Sequence, residues 1–250
     1  MYPELQHIIS SSRRIVFFGG AGVSTESGIP DFRSVDGLYN QRYAFPPETI
    51  LSATFFRRCT EEFYRFYRDK MLPLEAQSNA AHRFLAELEK TGKLTAVITQ
   101  NIDGLHQAAG SKNVLELHGS IHRNRCLTCA KFFPPEYIRD SKGIPICDRE
   151  VDHQKGTRSV CGGIIKPEVV LYEEGLDDAV LSAAVHHIRQ ADTMIIAGTS
   201  LTVFPAAGLV HYFRGQNLVL INRDATPMDD EATLVIHDSV GKVFSQLDCT

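Results

Sequence analysis

Residues 13–34 of the 250-residue chain read RRIVFFGGAGVSTESGIPDFRS. The apolar run at 15–18 predicts a buried β-strand, and glycines at positions 19, 20 and 22 follow it directly. Glycines behind a strand let the backbone come close to a phosphate and present N–H groups to it. Many strand-to-helix turns use glycine without binding a ligand, so the rest of the chain has to decide between the two roles.

Three further apolar runs, at 94–98, 193–197 and 217–221, predict strands of the same kind. Helical patterns alternate with them, and the segments 79–90 and 177–190 each place apolar side chains on one face. Strands that alternate with helices indicate an α/β fold with a Rossmann-like, doubly wound parallel sheet.

Two stretches interrupt this alternation. Residues 44–74 are rich in aromatic side chains and predict a helical insertion, whereas residues 123–163 hold four cysteines and show little periodicity. We therefore predict a Rossmann-like dinucleotide-binding domain made of residues 1–43, 75–122 and 164–250. The helical insertion and the cysteine-rich, zinc-binding insertion would together form a smaller lobe.

Composition narrows the class of protein. Hydrophobic residues make up 43% and charged residues 22%, as in ordinary globular proteins, and the formal net charge is -4. That charge provides no attraction to nucleic acid or to anionic membranes. The first residues contain no apolar signal segment, and no apolar run reaches membrane-spanning length, so we expect a cytoplasmic protein.

Polar side chains follow the predicted strand at 94–98. Gln100, Asn101 and Asp103 come directly after it, and ligands of open α/β sheets bind beyond the carboxyl ends of the strands. His118 ends the next apolar stretch, and histidine has the unperturbed pKa that best suits a general base near neutral pH. These four residues are therefore candidates for one catalytic site.

The loop departs from the dehydrogenase fingerprint, because Thr25 stands where a third glycine belongs and residues 39–41 lack the acid that grips a ribose. Downstream, Phe32 could cover a ring and Arg33 could pair with a phosphate, although either one taken singly fits a core phenylalanine or a surface arginine. Small polar residues at two later strand ends also suit phosphate or ribose hydroxyls: Gly198, Thr199, Ser200 and Asn222.

The cysteines predict a metal site. Cys126 and Cys129 have the Cys-x-x-Cys spacing that presents two thiolates to one tetrahedral zinc ion. Cys147 and Cys161 would complete it, with His153 between them as a competing ligand, and four reduced thiols are the alternative. Without an open coordination position such a site would be structural.

In combination these motifs resemble the sirtuin family of NAD-dependent protein lysine deacylases, with the bacterial type nearest. The similarity runs from Arg13 to Phe244 and therefore covers nearly the whole chain. The matching segments are 20–24 (GAGVS), 28–33 (GIPDFR), 99–103 (TQNID), 117–119 (LHG), 198–201 (GTSL) and the four cysteines.

The resemblance implies an NAD-dependent protein-lysine deacetylase that transfers the acetyl group from acetyl-lysine to ADP-ribose and releases nicotinamide and O-acetyl-ADP-ribose. His118 would be the general base, and Gln100, Asn101 and Asp103 would hold the nicotinamide ribose. The contacts to NAD+ that it implies come from Gly20, Ala21, Gly22, Thr25, Asp31, Phe32, Arg33, Gln100, Asn101, Ile102, Asp103, His118, Gly198, Thr199, Ser200, Asn222, Arg223 and Val240.

The resemblance also implies one structural Zn2+ on Cys126, Cys129, Cys147 and Cys161. An acetylated peptide would pair by its backbone with Val169, Val170, Leu171 and Tyr172. From the net charge we expect no nucleic-acid or membrane partner, and we expect a monomer. The chain departs from the family pattern at Glu173, where Gly is commoner, and in the long interval between the last two cysteines.

Relatives that remove succinyl or malonyl groups resemble one another in a Tyr-x-x-Arg pair that grips the distal carboxylate. Here Tyr64 is followed three residues later by Tyr67, and Arg68 comes one place late. One position turns a helical side chain by about 100°, so Arg68 is expected to point away from the acyl group. The pattern predicts a preference for acetyl and other uncharged acyl groups.

Two other classes of protein remain open at this point. A nicotinamide-dependent dehydrogenase would share the fold, but it needs the acidic ribose residue that this chain lacks. A zinc-ribbon nucleic-acid binder would need a basic surface, which the net charge of -4 opposes.

Overall fold

The computed structural model describes residues 2–31, 37, 43–152 and 158–249. Its first compact unit comprises Met1–Asn40, Glu75–His118 and Leu176–Thr250, and its second comprises Gln41–Leu74 and Gly119–Gly175. The assignment of one unit to NAD binding stays a prediction at this point. Within the described residues, no helix is both long enough and apolar enough to cross a membrane.

The helices and strands are numbered in chain order. The strands are β1 (Ile15–Gly19), β2 (Leu94–Thr99), β3 (Val114–Glu116), β4 (Gly119–Cys126), β5 (Phe132–Phe133), β6 (Glu150–Asp152), β7 (Arg158–Val160), β8 (Ile165–Val169), β9 (Thr193–Ala197), β10 (Asn217–Ile221) and β11 (Leu234–Ile236). The α-helices are α1 (Pro3–Ser11), α2 (Pro47–Ile50), α3 (Ala53–Arg58), α4 (Thr60–Lys70), α5 (Ala80–Lys90), α6 (Leu105–Ala109), α7 (Pro135–Asp140), α8 (Asp178–Gln190) and α9 (Val240–Phe244).

The first unit is built on a parallel sheet with the strand order β11-β10-β9-β1-β2-β3, which confirms the predicted α/β fold class. The register aligns the carboxyl ends of its central strands. Gly19 pairs with both Thr99 and Ala197, and Ala197 pairs with Ile221. The four turns that follow these strands therefore start at the same edge of the sheet.

Both faces of this sheet are covered, which explains why its strands read as uninterrupted apolar runs. Phe17 packs in one core cluster with side chains of α1, α5 and α9, and Phe18 packs in the other with side chains of α8. Each such fully buried side chain contributes about 1.5–3 kcal/mol. A 3-10 helix, Ala206–Tyr212, closes the second face.

The second unit contains the antiparallel sheet β5-β4-β8 and the hairpin β6-β7. Its helix α4 buries four aromatic side chains along one face: Phe63, Tyr64, Phe66 and Tyr67. Rings in T-shaped and stacked contact fill the space around them, as between Phe56 and Phe63, whose centroids lie 4.9 Å apart.

Candidate active site

The turns after β1 and β9 pack directly against each other. The Gly22 N–H donates to the Gly198 carbonyl at 2.8 Å, and a Cβ on Gly22 would lie 2.7 Å from the Gly198 Cα. Gly198 itself has a φ of +59°, which favours glycine. These glycines are thus required by the contact between two turns, a reason that adds to the phosphate approach expected from sequence.

Ser24 is the centre of a buried polar network. It is 1% exposed, its hydroxyl donates to the Asp103 Oδ2 at 2.7 Å, and it accepts from the Asn101 Nδ2 at 3.0 Å. The His82 Nε2 lies 3.5 Å from the same oxygen. The network therefore holds two predicted catalytic side chains in fixed orientations, through two residues that the sequence reasoning missed.

His82 is a neutral, buried member of this network. Burial lowers its pKa to about 4. The Asn79 backbone N–H and the Asn79 Oδ1 lie 3.2 and 3.0 Å from its Nδ1, and its Nε2 faces Ser24. Asn79 caps α5 and also donates from its Nδ2 to the Val23 carbonyl at 2.7 Å, which attaches this helix to the glycine loop. Asn79 and His82 form a capping box at the start of α5. In the sequence, such a pair indicates where a helix begins but gives no sign of a role at this site.

Gln100 joins the ends of three neighbouring strands. Its backbone N–H donates to the Gly19 carbonyl at 2.9 Å, and its Nε2 donates to the Thr199 Oγ1 at 3.0 Å. The predicted residues that follow β1, β2 and β9 are thus brought together at one edge of the sheet.

His118 is oriented by the backbone of Gln100, whose carbonyl lies 3.0 Å from the histidine Nδ1. A carbonyl only accepts, so the Nδ1 carries the proton and the Nε2 carries a lone pair. Burial lowers the pKa of His118, although the bond to Gln100 acts in the opposite direction. A neutral imidazole with a basic Nε2 at neutral pH is the arrangement that a general base requires.

The turn after β10 brings two other predicted residues together. The Arg223 Nη2 and the Asp31 Oδ2 are 3.2 Å apart in an ion pair. Beside them, the Asn222 Nδ2 donates to the Asp224 carbonyl at 2.8 Å. Phe32 and Arg33 lie outside the described residues.

Other residues predicted to contact NAD+ include Thr25 and Val240. The Thr25 hydroxyl donates to the Gly22 carbonyl at 3.1 Å, and Val240 is 2% exposed at the start of α9. The Glu26 Oε2 accepts from the Gly241 N–H at 2.6 Å and so joins the glycine loop to that helix. This contact of Glu26 was not predicted from the sequence. Ala21, Ile102 and Ser200 are half-buried.

The second unit contains a group of four thiols. The Sγ atoms of Cys126, Cys129, Cys147 and Cys161 all lie within 4.8 Å of one another. The Cys126–Cys161 and Cys129–Cys147 Sγ pairs are 3.7 and 3.6 Å apart. Tetrahedral zinc with Zn–S bonds near 2.3 Å places its sulfurs about 3.8 Å apart, so the thiols fit one structural zinc ion.

The surroundings of this cluster shift the pKa values of its thiols in opposite directions. The N–H of Lys131 lowers the pKa of Cys129 to about 6, whereas burial raises the pKa of Cys147 to about 12. A cation that bound all four sulfurs would stabilise the thiolate form of each. His153, the competing ligand expected from sequence, lies outside the described residues.

The predicted substrate segment, residues 169–172, also belongs to the second unit. Val169 ends β8, Leu171 is buried, and Tyr172 is 41% exposed. β8 pairs with β4 on one side and is an edge strand of its sheet within the described part of the chain. Val170 is half-buried at the point where the strand ends.

Ser24→Ala should lower kcat/KM for NAD, the cosubstrate expected from the sequence, by about 5- to 100-fold, because it leaves the buried groups of Asn101 and Asp103 without one of their partners. Ser27→Ala is the matched control, since the buried Ser27 hydroxyl has no hydrogen-bond partner among the described residues. Steady-state kinetics at varied NAD concentration measure both. Equal values for the two variants would show that the Ser24 network does not position the site.

The first unit is an α/β fold with a neutral histidine at the carboxyl edge of its parallel sheet, and the second unit holds four cysteines placed for one metal ion. The chain matches the Sir2 family over residues 20–205. It is 58% identical over 244 residues to an NAD-dependent protein deacetylase of Clostridium acetobutylicum, covering 96% of this chain and 95% of the relative. The chain therefore belongs to the Sir2 family.

Solved structures agree with this assignment. A Sir2 structure with a p53 peptide and NAD+ has a TM-score of 0.83 and 39% identity, covering 98% of this chain and 96% of the other. A Sir2 variant with a deacetylated p53 peptide and 3'-O-acetyl-ADP-ribose has a TM-score of 0.86 and 38% identity, with the same coverage.

Proposed function

We infer that this chain is an NAD-dependent protein-lysine deacetylase that moves the acetyl group of acetyl-lysine to ADP-ribose. Relatives that carry this name match the chain over nearly its full length, and a similar structure holds acetyl-ADP-ribose. The observation that carries the inference is the neutral His118, whose basic Nε2 belongs to the same sheet edge as the Ser24 network.

We propose the following order of events. The acetyl-lysine carbonyl oxygen bonds to the ribose carbon that holds nicotinamide, and nicotinamide leaves with the electrons of the broken C–N bond. The Nε2 of His118 then takes a proton from a ribose hydroxyl, whose oxygen attacks the former amide carbon. The lysine amine leaves with the proton that His118 returns to it. Water then adds to the acyl carbon and gives up a proton, while the bond from that carbon to the oxygen on the first ribose carbon breaks. This leaves a hydroxyl on that carbon and an acetyl ester on the attacking ribose oxygen. The products are nicotinamide, lysine and O-acetyl-ADP-ribose.

The proposed roles of the other residues follow from their contacts. Asn101 and Asp103, fixed through Ser24, would hold the nicotinamide ribose, and Gln100 would orient His118 through its carbonyl. The glycine loop would receive the pyrophosphate, and Asn222 would contact the second ribose. Preorganised groups of this kind avoid reorganisation during the reaction.

We propose that the zinc is structural, since four thiolates fill its coordination sphere and leave no position for water. Four reduced thiols at one site also support a cytoplasmic location. All residues proposed to contact NAD+ come from one unit of one chain, which supports a monomeric enzyme.

We propose that an acetylated peptide adds an extended strand beside residues 169–172. The support is the edge position of β8, which leads into this segment, and the exposure of Tyr172. An edge strand offers main-chain groups for affinity, and side chains of the peptide contribute selectivity.

Acetyl-lysine should be used at least about a hundredfold more efficiently than succinyl-lysine in one peptide, because burying an unpaired carboxylate costs several kcal/mol. The Tyr64 hydroxyl already donates to the Ile165 carbonyl. The Arg68 guanidinium lies 5.8 Å from the Tyr64 ring centroid, and its Nη1 donates to the Ser141 hydroxyl at 3.1 Å.

The measurement is kcat/KM for acetylated and succinylated forms of one peptide. Arg68→Ala is the control, and it should leave the ratio unchanged because the guanidinium is already engaged. Equal use of both acyl groups, or a loss of succinyl activity in Arg68→Ala, would show that Arg68 reaches the acyl group after all.

Incubation with NAD and an acetylated peptide tests the proposed function against its rivals. We expect nicotinamide release that requires the peptide. Reduction of NAD without nicotinamide release would indicate a dehydrogenase, and the absence of both would remove the proposed reaction.

A further inference from the structure

Glu173 directly follows the substrate segment and has a φ of +74°. This left-handed region is unfavourable for a residue with a Cβ, so a glutamate there needs a compensating interaction. Its side chain provides one, because the carboxylate Oε2 accepts from the backbone N–H of Thr54 at 2.9 Å.

This contact is part of a continuous junction with helix α3. The Ala53 N–H donates to the Tyr172 carbonyl at 3.0 Å, and the Tyr172 N–H donates to the Leu51 carbonyl at 3.0 Å. Residues 172 and 173 thus satisfy the first two N–H groups of α3, groups that a helix start leaves without internal partners.

The charge of Glu173 suits this position. Hydrogen bonds from Thr54, and then the charges of Arg57 and Arg58, hold the pKa of its carboxyl below the usual range. The group is therefore a carboxylate throughout the neutral range, and a charged acceptor makes a stronger hydrogen bond than a neutral one.

Glu174 holds the other side of the segment. Its Oε2 accepts from the Leu171 N–H at 2.9 Å and from the Lys166 Nζ at 3.1 Å. Two successive carboxylates therefore act in different directions, Glu174 toward β8 and Glu173 toward α3. Only the Glu173 contact requires an unfavourable backbone conformation.

We propose that Glu173 is a positioning residue for the peptide substrate. By holding the end of the segment against α3, it keeps the adjoining Val169 and Val170 extended for pairing with the peptide backbone. This inference rests on the backbone pairing proposed above. Glu173 acts through the segment and touches no reacting atom, so its effect concerns the binding of an extended peptide and leaves the chemical step intact.

The test uses Glu173→Ala, Glu173→Gly and Glu173→Gln with two substrates: an acetylated peptide of about ten residues and a single acetyl-lysine with blocked termini. Glu173→Ala should raise KM for the peptide about five- to tenfold, the effect of losing one solvent-exposed hydrogen bond. The values of kcat, KM for NAD and kcat/KM for the single acetyl-lysine should stay within about twofold of the wild-type values.

The other variants separate the carboxylate contact from backbone strain. Glu173→Gly removes the strain and the contact together, and should raise KM for the peptide as Glu173→Ala does. Glu173→Gln keeps an acceptor oxygen for Thr54 and should restore most of the affinity. A peptide KM within twofold of wild type in both Glu173→Ala and Glu173→Gly would overturn the proposal, as would an equal loss with the single acetyl-lysine.

A peptide N-methylated on either side of the acetyl-lysine distinguishes the two proposals. If the wild-type enzyme uses it as well as the unmodified peptide, the backbone pairing itself is wrong, and the role of Glu173 is lost with it. If methylation weakens binding but the Glu173 variants do not, the pairing stands and only the role of Glu173 is overturned. Melting temperature and zinc content of each variant show that the fold is retained.

Discussion

His118→Ala is expected to reduce kcat for peptide-dependent nicotinamide release and deacetylation by at least about a hundredfold, the usual contribution of a general base. The imidazole Nε2 has no replacement in this variant. The fold should persist, because the lost bond to the Gln100 carbonyl is worth only about 1 kcal/mol. His7→Ala, which changes an exposed histidine on α1, is the control and should have full activity.

The pH profile gives an independent check of the same residue. Burial lowers the pKa of His118 below the ordinary value of 6.5, so the imidazole loses its proton at a lower pH than a free histidine. The base form then persists as the pH falls through 6.5, and the acid limb of kcat/KM should have its midpoint below that value. Activity of His118→Ala within a few-fold of wild type would remove the histidine from the mechanism.

Cys126→Ala is expected to abolish zinc binding and to unfold the second unit. The cysteine is 3% exposed, and its Sγ lies 3.7 Å from that of Cys161. Its loss leaves three thiols for a metal ion that needs four ligands. Metal-binding energy of such a site is folding energy. We expect the melting temperature to fall by at least about 10 °C, which is a loss of several kcal/mol for a domain of this size.

Elemental analysis of the purified protein should give one zinc per chain, and limited proteolysis of Cys126→Ala should cut first within residues 119–163. Cys59→Ala is the matched control, because Cys59 is exposed and outside the cluster. A zinc-free wild-type protein, or a Cys126→Ala variant as stable as Cys59→Ala, would contradict the structural role.

Much of the site could be predicted because the sheet is parallel and its register is regular. Gln100, Gly198 and Asn222 each follow an apolar run, and the alignment of Gly19 with Thr99 and Ala197 brings those turns to one edge. The strand ends alone therefore locate the site. The α/β fold class was predictable because buried parallel strands appear in the sequence as uninterrupted apolar runs.

The residues that support the site could not be found in this way. Ser24 and His82 are 58 positions apart, and Glu26 reaches Gly241 across 215 positions. Such contacts depend on how helices pack on the sheet, which periodicity does not specify. β11 has only three residues, too few for a strand pattern to stand out.

The sequence was also insufficient to predict the contacts of the cysteines and of Glu173. The spacing of Cys147 and Cys161 left the ligand set open, and only the Sγ distances bring all four thiols to one point. Glu173 departs from the family pattern, but its sequence context gives no sign of the +74° φ or of the bond to Thr54. Both depend on backbone geometry that residue types alone do not fix.

In the proposed reaction the acetyl group passes to ADP-ribose and not to water. Reaction of the enzyme with NAD and a peptide carrying a 13C-labelled acetyl group, followed at early times by mass spectrometry, tests it directly. We predict label in O-acetyl-ADP-ribose, in equal amount with released nicotinamide and deacetylated peptide. Label that appears first in free acetate, with NAD unchanged, would show that the acetyl group is hydrolysed without transfer to ADP-ribose.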